Sequence, residues 1–287
     1  MCHVSSIRPS TSLDRARWCT RFQYGGGPPP QEPDAACQSP PGHGTLDHLH
    51  DEQQRYVDRN TLGQSMHAVA GGVLSLRVTK TGADPQAPYE SAMIRSKQTF
   101  RPSPSVSYYL TARVRLPRVR GTWPAFWLAP AVAPDGSAAW PPEIDIMEGA
   151  LNDGYDTQSM LRMGAQPHNW GGQGPASAPL PALYRDPSFD PRDRKVRAAR
   201  NLRGVWIEVG LDWQDRQSCY FIDGVKMACE PYEWLQNDHR PAPASPLLLI
   251  LAIGGPWAGR GGIEDERLPA SFDVAHVRVY EQVHHAP

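Results

Sequence analysis

The sequence predicts an all-β fold, a sandwich of two sheets. Three observations carry that reading. Short stretches alternate apolar and polar residues with the period of half-buried strands. Thirty prolines and twenty-five glycines in 287 residues supply the frequent turns that a sandwich needs. No long helical period interrupts them, apart from a short stretch near residues 230–236.

Residues 1–12 are expected to be disordered, and the folded part to span 13–283 as one domain, with a tail at 284–287. Gly25 to Gly44 is dominated by glycine and proline (Pro28-Pro29-Pro30, Pro40-Pro41-Gly42) and reads as an irregular surface insert. The regular chain resumes at Gly44-Thr45-Leu46-Asp47-His48. Val73 to Val78 and Tyr109 to Leu116 alternate as half-buried strands do. Further strands are expected at Val205 to Trp213, Cys219 to Ile222, Leu247 to Ile253 and Phe272 to Tyr280. A hairpin turn is expected at Asp223-Gly224, and a three-residue loop there would set Cys219 opposite Cys229. There is no internal repeat.

One segment demands a chemical explanation. Glu143-Ile144-Asp145-Ile146-Met147-Glu148 places three carboxylates among strand-forming aliphatics. Alternate side chains of a strand share a face, so Glu143 and Asp145 point one way and Ile144 and Ile146 the other. Glu148 has the wrong parity. A β-bulge around Ile146-Met147 would return it to the face of Glu143. Like charges crowded on one face repel, which leaves three readings: a solvated acidic strand, a carboxylate metal site, or acid–base chemistry. The aliphatics suggest a buried back, against the first. Gly149-Ala150-Leu151 offers no further ligands, although Asn152 and Asp153 follow, against the second. The third fits cleavage of a glycosidic bond, which uses two carboxyl groups about 5–5.5 Å apart in a retaining enzyme. The Cα atoms of Glu143 and Glu148 would lie about 13 Å apart along a bulged strand, a gap that two inward-leaning side chains can narrow.

Other blocks accompany the acidic run: Gly121-Thr122-Trp123-Pro124-Ala125-Phe126-Trp127-Leu128-Ala129-Pro130, Leu251-Ala252-Ile253-Gly254-Gly255-Pro256-Trp257, and Phe272 to Tyr280. Together, over roughly Leu13 to Gln282, they resemble glycoside hydrolase family 16. The resemblance implies a concanavalin A-like β-jelly-roll sandwich with an open cleft on its concave sheet. It also implies an endo-acting, retaining β-glycoside hydrolase acting by double displacement, without a cofactor. In that scheme Glu143 matches the nucleophile, Asp145 the assisting carboxylate and Glu148 the general acid/base, so Glu148 must start protonated while Glu143 stays ionised. The implied substrate is a β-1,3- or β-1,3/1,4-glucan or a related polysaccharide. Transglycosylation on the same substrates and lectin-like binding without catalysis are the alternatives.

By the same resemblance, Trp123 and Trp257 match aromatic positions at the cleft centre, suited to stacking on sugar rings. Trp127 could face either way. Trp140 and Trp170 are expected at the cleft edge, and Tyr56 and Asn60 match a block beside it. Departures from the family pattern are local. Met93 stands where laminarinase-like members carry Arg. Arg162 takes the place of a sugar-binding His, with His168 a second candidate for that role. Many members place a structural calcium on an Asp immediately before the aromatic of the last strand. This chain has Ala275-His276 there, and Asp273 is displaced by two residues, so no metal is expected.

Composition bounds the rest. The net charge of −1 provides no global field for nucleic acid or an anionic membrane. The longest apolar run, Leu247 to Ile253, is too short to cross a bilayer. Nine tryptophans agree with a carbohydrate ligand and equally with a core. The substrate class implies an extracellular or periplasmic monomer. Met1 to Ser12 lacks the apolar stretch of a signal peptide, which points to a removed leader or a start upstream. Of five cysteines, Cys219 and Cys229 could join across the hairpin and Cys19 and Cys37 could staple the insert, leaving Cys2. Free buried thiols are the other reading.

Overall fold

The computed structural model describes residues 12–22, 37, 52–82, 84, 85, 87–132, 139–152, 160–165, 195–197 and 202–284. The expectations for residues 1–11 and 285–287, and for most of the 25–44 insert, lie outside these. Two sheets face each other. The seven-stranded sheet runs in the order β1 (Trp18–Cys19), β6 (Met93–Phe100), β15 (Ser245–Ile253), β8 (Thr122–Leu128), β9 (Ile144–Glu148), β10 (Met160–Ala165), β11 (Lys195–Arg197). The nine-stranded sheet runs β14 (Val225–Pro231), β13 (Gln217–Ile222), β12 (Trp206–Trp213), β7 (Val106–Arg115), β16 (Ala270–Val283), β4 (Val73–Lys80), β5 (Tyr89–Ser91), β2 (Gln54–Tyr56). There β3 (His67–Ala70) also pairs with β4. Every expected strand is present, most of them longer by a few residues.

Alternation in sequence becomes two-sidedness in space. Leu110, Ala112 and Val114 of β7, Ile207, Val209 and Leu211 of β12, and Phe272, Val274, Val277 and Val279 of β16 all join the core between the sheets. In β16 the change of parity between Val274 and Val277 is absorbed by a register shift between Val274 and His276. The facing sheet contributes Phe126 and Leu128 of β8 and Leu247, Leu249, Leu251 and Ile253 of β15. The other face of those same strands carries Trp123, Ala125, Trp127, Leu248, Ile250 and Ala252 in a second apolar cluster with Phe22 and Tyr56. Burial on both faces explains why β15 reads as a continuous apolar run rather than an alternating one.

Two local expectations are corrected. The 230–236 stretch is not helical. Beyond Pro231 the burial of Tyr232 and Trp234 with exposed Glu233 between them has a period of two. Trp234 packs edge-on against Trp213, ring centres 5.0 Å apart, and donates from Nε1 to Pro243 O at 2.7 Å. Pro231 also disfavours helical geometry in the residue before it. The hairpin likewise differs from the expected three-residue loop. Ile222 pairs with Val225 across the two-residue turn Asp223-Gly224, both at positive φ (49° and 77°), as a type I′ turn requires. A register shift then leaves Met227 as an extra residue, and this bulge restores Cys219 opposite Cys229. Both expected disulfides are formed, Cys219–Cys229 and Cys19–Cys37.

Candidate active site

The acidic run is β9 with Glu143 just before it. Against β8, Ala125 pairs with Glu148 and Phe126 with Met147, then Trp127 pairs with Asp145. Ile146 is therefore the inserted residue, and β10 shows the matching shift, with Arg162 opposite Glu148 and Gly164 opposite Asp145. This is the bulge that parity requires. Ile144, Ile146 and Met147 all enter the core between the sheets. Directly opposed residues of an antiparallel pair share a face, so Asp145 and Glu148 lie with Trp127 and Ala125 on the outer face.

Each glutamate meets an indole. Trp123 Nε1 donates to Glu148 Oε1 at 3.2 Å, and Trp140 Nε1 donates to Glu143 Oε2 at 2.6 Å. Asp145 and Glu148 are buried, with Glu148 7% exposed, whereas Glu143 is half-buried. The Glu143 main-chain N–H donates to the Tyr232 hydroxyl at 3.4 Å. Tyr232 lies far off in sequence, and no local pattern announces it. Each indole N–H engages one oxygen of its carboxyl group, so the two indoles hold the two groups in fixed orientations.

The other candidate residues divide. Trp123 and Trp257 come together edge-on, ring centres 4.7 Å apart at 84°. Trp127 faces outward from the sandwich and packs on Phe22, whose ring centre is 5.7 Å away. Its buried Nε1 has no hydrogen-bond partner among the described residues. Phe22 carried no sequence signal, because it stands alone among polar residues. Trp140 is 39% exposed beside Glu143. Tyr56 is only 2% exposed and packs on Phe22. Burial, and secondarily the Glu52 charge, push its phenol upward from the ordinary value. Asn60 is held by its own loop: Oδ1 accepts from the N–H groups of Leu62 and Gln64, and Nδ2 donates to Gln64. The geometry thus places Tyr56 inside the wall and Asn60 in a turn. Trp170 and His168 lie outside the described residues.

Asp273, two residues from the family's calcium position, is engaged otherwise. Asp273 Oδ2 accepts from Arg115 Nε and Nη2 at 2.9 and 2.6 Å, and Oδ1 accepts from Ser75 at 2.6 Å. A guanidinium already neutralises this carboxylate, so these residues do not fit a cation. At the acidic run, Asn152 is engaged with the main chain of Trp257. Among the described residues no group of three or more His, Cys, Asp or Glu is arranged to hold a metal. No helix among them is long and apolar enough to cross a membrane.

Known proteins place this architecture. No family model matches the chain. A beta-glucanase from Rhodothermus marinus is 29% identical over 276 residues, covering 93% of this chain and 85% of that protein. The endo-1,3-1,4-beta-glycanase ExsH of Rhizobium meliloti (strain 1021) is 34% identical over 105 residues, 34% of this chain and 21% of that protein. Among solved structures, the laminarinase from Rhodothermus marinus superposes with a TM-score of 0.67 at 23% identity, over 99% of this chain and 100% of that one. A non-specific endo-beta-1,3(4)-glucanase from family GH16 gives 0.65 at 18% identity, over 99% and 92%. The two-sheet sandwich with carboxylates on its outer face is thus a jelly roll of the glycoside hydrolase class. Along nine-tenths of its length the chain is similar to that beta-glucanase, and its fold is that of the laminarinase and of the family GH16 glucanase.

Proposed function

We propose that the protein is an endo-acting, retaining β-glucan hydrolase with Glu143 as nucleophile and Glu148 as general acid/base. The observation that carries this reading is the bulge at Ile146, which sets Glu148 on the face of Asp145. The indole donors on Glu143 and Glu148 support it. The relatives named beta-glucanase and endo-1,3-1,4-beta-glycanase support a β-1,3- or β-1,3/1,4-glucan as substrate.

In the first step a Glu143 oxygen attacks the anomeric carbon as the glycosidic C–O bond breaks, and Glu148 gives its proton to the leaving oxygen. A covalent glycosyl-enzyme results. Glu148 then takes a proton from water, whose oxygen attacks the same carbon and releases Glu143. Asp145, between the two glutamates, can share a proton with Glu143 or hydrogen-bond it. Trp257 and the exposed Trp140 supply apolar surface along the sugar path. A single catalytic unit over residues 13–283, acting as a monomer outside the cytoplasm, suits a polymer of this kind.

The test is a screen of laminarin, mixed-linkage β-glucan and bacterial exopolysaccharides for reducing-end release, with Glu143→Gln as the blank. Wild type should release reducing ends from at least one β-glucan. Glu143→Gln and Glu148→Gln should each lose at least about a thousandfold while melting as wild type does. Full activity in either variant would overturn the assignment.

A further inference from the structure

The indole on Glu148 is itself held from behind. Trp257 stands edge-on against Trp123 and belongs to a four-residue helix, α1 (Gly255–Ala258), whose N-cap has no side-chain hydrogen bond. A helix this short has no stability of its own. It is fixed from outside, and one of its anchors is Asn152, four residues beyond Glu148 and 2% exposed. Asn152 Nδ2 donates to Trp257 O at 3.0 Å. The chain around Asn152 is tied to β8: Leu151 N–H donates to Thr122 O at 3.0 Å and Gly121 N–H to Leu151 O at 2.8 Å. From the far end of the same loop Gly261 approaches so closely that a Cβ there would lie 2.3 Å from Asn152 O.

We propose that Asn152 is a positioning residue for Glu148, acting through Trp257 and Trp123. It locks α1 against the segment that follows the acid/base. The Trp257 ring then confines the Trp123 indole to the orientation that aims Nε1–H at Glu148 Oε1. This rests on the assignment of Glu148 as general acid/base. When Asn152 is lost, α1 shifts, Trp123 gains freedom and the proton donor is aimed less well. An error of about 1 Å in such a group can cost on the order of a hundredfold; a loosened second contact costs less.

The test separates aiming from folding by the leaving group. A sugar oxygen needs Glu148's proton to depart, whereas dinitrophenolate departs without one. kcat/KM is measured on the β-glucan that wild type cleaves fastest and on dinitrophenyl β-laminaribioside, for Asn152→Ala, Trp123→Phe, the two combined, and Glu148→Gln. Asn152→Ala should lose about tenfold on the glucan and stay within about twofold on the aryl glycoside. Trp123→Phe should lose in the same selective way, and the combined variant should be no worse than the worse single, as for residues acting in series. If Asn152→Ala does not fold, Gly261→Ala, whose Cβ would meet Asn152 O, displaces Asn152 from Trp257 and should show the same selectivity. Equal losses on both substrates, or additive losses in the combined variant, overturn the proposal. A Glu148→Gln variant with selective loss beside an unselective Asn152→Ala removes the relay alone. A Glu148→Gln variant that still cleaves the glucan removes the acid/base assignment and the relay with it.

Discussion

Removing the Cys219–Cys229 bond, with both cysteines changed to alanine, should lower stability without touching catalysis. The bond joins β13 to β14, at the edge of the nine-stranded sheet and away from the strand that carries the carboxylates. A cross-link acts mainly on the unfolded chain by forbidding states in which its ends are apart. With the cysteines 10 residues apart, the chain-entropy relation gives about 2.7 kcal/mol at 25 °C. Alanine at both positions adds no buried hydroxyl, so the entropic effect should dominate. For a chain of this size each kcal/mol moves the melting temperature by about 2 °C, so Tm should fall by about 5 °C. The assay is a thermal melt followed by circular dichroism, beside reducing-end release at 25 °C, where the folded variant should match wild type within about twofold. Thiol titration in denaturant without reductant is the control: five cysteines and two bonds leave one reactive thiol in wild type, and the variant should also show one. Three thiols in wild type, or a variant melting within about 1 °C of it, would refute the reasoning.

Two further outcomes follow from buried polar groups. Burial, the largest cause, lowers the pKa of His67 from its ordinary value, with Arg15 and Arg21 adding to the effect and Met93 O and Asp58 opposing it. The unfolded chain therefore binds a proton below about pH 6.5 that folded His67 refuses, so stability should fall as pH drops from there toward the folded pKa. Urea midpoints across this window should slope less in His67→Gln, which keeps a donor for Met93 O; an identical slope would show that another group is responsible. Arg115→Met strands the buried carboxylate of Asp273. Because the Arg115 side chain is 44% exposed, the cost should be about 2 kcal/mol rather than the 3–5 of a fully buried pair. Adding Asp273→Asn should recover part of the loss in a denaturant melt, and equal stability of the single and double variants would contradict the ion-pair account.

Much of the molecule is written locally. Period-two alternation over Val73 to Val78 and Tyr109 to Leu116 specifies strands with one buried face, because side-chain direction along a strand follows from parity alone. The same rule, applied to Glu143, Asp145 and Glu148, requires a bulge, and the structure has it at Ile146. Aromatic spacing around residues 230–236 is more ambiguous. Tyr232 and Trp234 are two apart, and only the partner Trp213, brought by another strand, makes them alternate rather than coil. The hairpin shows the same division: Asp223-Gly224 marks the turn, but the offset at Met227 is visible only once both strands are in register.

The all-β class, most of the strands and the three carboxylates with the bulge they need are legible along the chain, since each depends on sequence neighbours. Which residues meet them depends on how the sheets and loops pack. Trp127 faces outward because β15 and β8 have cores on both sides. Trp140 and Tyr232 converge on Glu143, and Asn152 reaches Trp257 across more than a hundred residues. Such contacts depend on loops closing and sheets packing, which no single segment specifies.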